Sequence, residues 1–142
     1  MTLAHTLLIT LLSLSLASCN RDTKRNHYST LDGAKVDGAI QRGWIPAILP
    51  QSARDIREEH DLDLNVGSGS FEFNTNDLSV FVSRLTPATS GTFRGQNLNQ
   101  EAQVLGKSGY SLYRYEEAAS SWVFAIDPVR GRALWWLEPR KT

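Results

Sequence analysis

The chain has 142 residues, with 15 basic and 15 acidic side chains and no formal net charge. That balance excludes the basic footprint of a nucleic-acid-binding domain and the charge-driven interaction tail that an acidic run would supply. One cysteine, Cys19, excludes an internal disulfide and a thiolate metal cluster, and the length fits a single domain.

Residues 7–16 are apolar apart from Thr10, Ser13 and Ser15, a run shorter than the roughly 20 residues that cross a bilayer core. It has the length and small-residue exit of a secretory signal peptide, here residues 1–18. Leu16, Ala17, Ser18 and Cys19 resemble the lipobox of bacterial lipoproteins. The resemblance implies lipidation of Cys19 on sulfur, cleavage before it and acylation of the new amine. Asn20, where an Asp resembles the inner-membrane retention signal, implies the outer membrane. Several acyl chains hold a protein stably where one chain is marginal. The expected partner at this end is therefore the membrane, through lipid, with the domain facing the periplasm.

Residues 20–28 are polar and read as a tether reaching at most about 30 Å, so the domain is expected over 29–142. A helix is expected over 30–42, capped by Ser29 or Thr30 and closed by Gly43, with Val36 and Ile40 facing the core. Pro46 and Pro50 keep the following apolar segment irregular. Residues 56–64 alternate as a strand, with Ile56, Glu58, His60, Leu62 and Leu64 on one face. On the other face Asp55, Arg57, Glu59, Asp61 and Asp63 are expected to be wet. A turn over 65–69 leads to a second strand over 70–73, completing a hairpin.

Asn76 or Asp77 caps a second helix carrying Leu78, Phe81, Val82 and Leu85. Residues 86–109 lack a strong pattern beyond a short helix near 98–105. Three aromatic-rich strands follow, over 110–116, 122–127 and 132–138. The expected fold is α+β: an antiparallel sheet of about five strands, hairpin plus C-terminal three-stranded meander, packed by two or three helices.

Gly43, Trp44, Pro46, Leu49, Pro50, Ser52, Ala53, Ile56, His60, Asp61, Leu62, Asp63 and Asn65 form a spaced pattern. It resembles a segment of small, mostly proteobacterial lipoproteins. The resemblance implies an envelope address and a fold unit, and no reaction.

Candidate chemistry is sparse. Asp61, Asp63 and Asn65, with Glu72 at the twelfth position, have the oxygen spacing of a calcium loop. Val66 stands where that loop needs Gly, so the stretch reads first as a charged strand entering a polar turn. Glu58 and His60 share a strand face but lack further histidine ligands nearby, and no Gly-x-Ser-x-Gly elbow is present. No cofactor is expected. Adjacent Trp135 and Trp136 must point to opposite sides of a strand. Trp135 is expected in the core, and Trp136, Tyr113 and Tyr115 are candidates for a binding surface.

The expectation is a non-catalytic, lipid-anchored envelope protein with an envelope protein as possible partner. Alternatives are an immunity or inhibitor lipoprotein against an exported toxin or cell-wall hydrolase, and a structural part of an envelope assembly.

Overall fold

A computed structural model describes residues 23–138. The expected signal peptide and lipobox residues Leu16, Ala17, Ser18 and Cys19 therefore lie outside the described residues.

Seven strands form one sheet in the order β1-β2-β3-β7-β6-β5-β4. They are β1 (Thr23–Thr30), β2 (Arg54–Asp61), β3 (Val66–Glu72), β4 (Thr86–Pro87), β5 (Ser111–Glu116), β6 (Ser121–Asp127) and β7 (Arg132–Glu138). Every pairing is antiparallel. The hairpin (β2–β3) and the C-terminal meander (β5–β6–β7) both form, and β3 pairs with β7 to fuse them. Three helices accompany the sheet: α1 (Leu31–Val36), α2 (Leu78–Val82) and α3 (Gln96–Lys107). The fold is α+β with an antiparallel sheet, wider than the five strands expected.

The largest correction concerns the tether. Residues Thr23–Thr30 form β1 and pair along the length of β2, Thr23 opposite Asp61 and Thr30 opposite Arg54. Apolarity is not needed there, because an edge strand exposes most of its side chains and its ladder is made by the backbone. Tyr28 alone packs against the main core.

The helix expected over 30–42 is two shorter turns. Thr30 caps α1, its hydroxyl accepting from the Gly33 N–H at 3.2 Å. Gly38, at φ +79°, then stops it: Gly38 N–H donates to the Lys35 carbonyl and Ala39 N–H to the Ala34 carbonyl. Gly43, at φ +77°, repeats the device with Ile40 and Trp44 with Ala39. These paired bonds are the left-handed closure that glycine permits at a helix end. The break leaves Val36 90% exposed, against expectation, while Ile40 packs on the core.

The main core lies on one face of the sheet, between Phe71, Phe124, Ile126 and Trp135 below and Leu31, Ile45, Ile48, Leu49 and Phe81 above. The proline-rich segment thus covers the sheet as a layer in its own right. On the opposite face α3 contacts β5 and β6, sealing a small cluster of Phe93, Ala102 and Val123 with Leu98, Leu112 and Trp136 at its margin. Being covered on both faces, β6 is buried at every position. Among the described residues no helix covers that second face beneath β1, β2 and β3.

The glycines and serines of β3 explain a further difference. The turn expected over 65–69 closes earlier, at 62–65, and Val66-Gly67-Ser68-Gly69-Ser70 is extended. Leu62 and Leu64 sit in or beside that turn and are exposed, not inward. Gly69 lies opposite Trp135, whose indole covers it so closely that a Cβ at 69 would lie 2.2 Å from the ring.

Trp135→Ala is expected to lower stability by about 3–5 kcal/mol, as for other buried aromatics. Trp136→Ala, half-buried on the other face, should lose visibly less. Chemical denaturation of both variants measures the difference, and equal losses would contradict the assignment of faces.

Candidate functional site

The spaced motif first resolves into structural roles. Trp44 stacks on His60 with ring centroids 3.8 Å apart and an interplanar angle of 8°. His60 Nδ1 lies 2.8 Å from Glu58 Oε2, and Asn26 of β1 donates to the other oxygen of Glu58. The Glu58 side chain is 0% and the His60 side chain 7% exposed. This chain of contacts welds β1, β2 and the proline-rich layer together. Ser52 accepts from Asn74 N–H at 3.0 Å and donates to Asp77. It thereby pins that layer to the turn before α2.

Asp61, Asp63, Asn65 and Glu72 do not converge. Asp61 is buried, and one of its oxygens accepts from the N–H groups of Asp63 and Leu64, both at 3.0 Å. Its carboxylate builds the turn, as an Asx residue does. Asn65 takes φ +50° to close the turn. Glu72 lies at the far end of β3, bonded to Arg54 and near Arg132. The extended β3 separates what a calcium loop would fold together.

Tyr113, Tyr115 and Trp136 are likewise parted. Tyr113 and Tyr115 pack against the main core, whereas Trp136 borders the small cluster on the opposite face. No single aromatic surface contains all three.

What the sequence concealed is a groove on the bare half of that second face. Its floor is Ser68, Ser70, Leu134 and Trp136, and its walls are Arg25, His27, Arg57 and Glu59, with Glu101 of α3 across the gap. The hollow measures about 480 Å³, within the range of small-molecule clefts. A second hollow of about 350 Å³ shares Arg57, Ser70 and Leu134 with it and runs on to Tyr110 and Arg132. Small side chains on β3 keep the floor low, while α3 stands as a bank on one side.

The walls are charged and internally balanced. Arg25 grips Glu59 with two bonds, at 2.7 and 3.2 Å. That pairing lowers the Glu59 pKa and raises that of Arg25. Asp55, at φ +46° in a bulge of β2, meets Arg57 at 3.1 Å and His27 Nε2 at 2.7 Å. Hydrogen bonds from Arg57 and His27 hold the Asp55 carboxyl below the usual range.

A second polar cluster lies at the end of β7. Glu138, with a fully buried side chain, accepts from Ser121 Oγ at 2.5 Å, Arg94 N–H at 2.9 Å and Arg114 at 3.1 and 3.2 Å. Burial alone raises a carboxylate's pKa; here the donors outweigh it and the pKa falls. The cluster fastens the loop before α3 to the sheet.

Residues 22–72 match the YbbD head domain. The matched stretch, less than half of the chain, holds β1, α1, the proline-rich layer, β2 and β3. No curated protein and no solved structure matches the chain.

Because the Glu138 pKa is lowered in the fold, its stabilisation is complete above the unfolded value near 4.5 and is lost as pH falls through the folded value. Glu138→Gln is expected to destabilise by about 1–3 kcal/mol at pH 7. The gap from the parent chain should narrow below pH 4.5 in urea melts across pH.

Proposed function

We propose that the chain is a lipid-anchored envelope lipoprotein whose domain binds a ligand and catalyses nothing. The anchor reading rests on the lipobox-like Leu16–Cys19 stretch behind an apolar run, and the YbbD head domain match supports a bacterial envelope setting. The observation that carries the binding reading is the uncovered groove. It joins apolar and hydrogen-bonding groups in an open cleft, while the His60 and Glu58 side chains are buried against each other.

With β1 beginning at Thr23, only three residues separate it from Cys19, a reach of at most about 14 Å over four residue steps. The outer membrane, facing the periplasm, is the proposed site, and the lipid places the domain at the bilayer surface.

Expression of the full-length chain in a bacterial host with a fatty-acid analogue tests the anchor. The parent protein is expected to be labelled and to sediment with membranes. Cys19→Ser should remain an unprocessed, unlabelled precursor. A labelled Cys19→Ser protein would refute lipidation at this residue.

A further inference from the structure

We infer that the groove binds a stretch of linear, uncharged oligosaccharide, a ligand class that deepens and rests on the non-catalytic binding reading above. Charge decides first. Arg25 is committed to Glu59, and Arg57 and His27 to Asp55, so an anionic ligand would have to break existing pairs. Glu101, across the groove, makes no ion pair among the described residues and repels an anion further. Among the described residues of the groove, a cationic ligand finds Glu101 alone unpaired, because Glu59 and Asp55 are already neutralised by Arg25, Arg57 and His27. What the walls retain is hydrogen-bonding capacity without charge surplus: spare guanidinium N–H groups and spare carboxylate lone pairs.

The floor has matching chemistry. The Ser68 and Ser70 hydroxyls line it and have no hydrogen-bond partner among the described residues. Beside them Leu134 and the half-buried Trp136 offer an apolar flank. Sugar rings carry both surfaces, a C–H face that packs on an indole and an edge of hydroxyls that bonds to paired charges.

Shape excludes an extended peptide. The floor is a sheet face whose backbone groups are spent in the ladder, so a peptide strand finds none of the main-chain partners that edge pairing supplies. The two hollows, joined through Arg57, Ser70 and Leu134 and ending at Trp136 and Tyr110, make a trough longer than one ring.

The test is a nitrogen-15 NMR titration of the full chain, less its signal, with chitotetraose and cellotetraose as neutral probes and hexaglutamate as an anionic one. Binding of either neutral probe is expected to shift the Trp136 indole and the amides of Arg57, Ser68 and Ser70, leaving the Trp135 indole and Tyr113 unmoved. Trp136→Ala and Ser70→Val, which fills the floor without touching charge, should each weaken binding roughly tenfold or more. Tyr113→Phe, on the opposite face, should not. No groove shifts with either neutral probe at millimolar concentration would overturn the inference. So would preferential binding of hexaglutamate, or the same shifts arising from protein concentration alone, which would make a second copy the occupant. Chromatography of the probe after incubation separates the two readings. A cleaved probe refutes the non-catalytic function while the ligand class stands, and an intact, bound probe supports both.

Discussion

The pairing of β3 with β7 is the contact on which the rest of the molecule depends. Each half of the sheet is a meander of strands consecutive in sequence, and this one ladder joins residues sixty or more positions apart. It holds because Trp135 lies flat over Gly69 on the core side, filling the space that a strand glycine leaves empty. A large ring set against a residue without a side chain converts a weak strand position into a packed one. The same alternation turns Ser68 and Ser70 to the other side, so the core contact and the low groove floor come from one five-residue run. A larger residue at 69 disturbs the core, and a larger one at 68 or 70 fills the cleft.

The polar groups sort by the same geometry. Glu58 and His60 alternate with Arg57 and Glu59 along β2, and the two pairs lead different lives. The first pair is buried beneath Trp44, where each polar atom needs a partner, and Asn26 from β1 supplies one. The second pair stands in the groove wall, where solvent shares the load and exposed ion pairs add little to stability.

The C-terminal meander was legible because its residues announce it: alternating aromatics, a proline-glycine turn at 128–131, and Trp135 next to Trp136, which must part across a strand. The hairpin was legible from Ile56 to His60 and misplaced beyond it. Gly67, Ser68 and Gly69 are turn formers in isolation, and only the distant indole of Trp135 makes them a strand. Strand β1 was hidden for the same class of reason. Nothing in Thr-Lys-Arg-Asn-His-Tyr speaks of burial, and its place is set by β2 and by Asn26 reaching Glu58. The helix start at Thr30 was local and legible, whereas its early stop at Gly38 turned on a glycine that tolerates either outcome. The groove was illegible in principle, since its lining comes from five separate segments that meet only when β3 joins β7.

An open sheet has two ends, and each is a template on which another chain can add strands without limit. In the described residues those ends are β1 and β4. The second is only two residues long and contains Pro87, which offers no N–H to an incoming strand. The first is longer, but it carries Lys24 and Arg25, charged side chains of the kind that blunt an exposed edge. Short length and proline at one border, cationic side chains at the other, are two unrelated defences against runaway polymerisation.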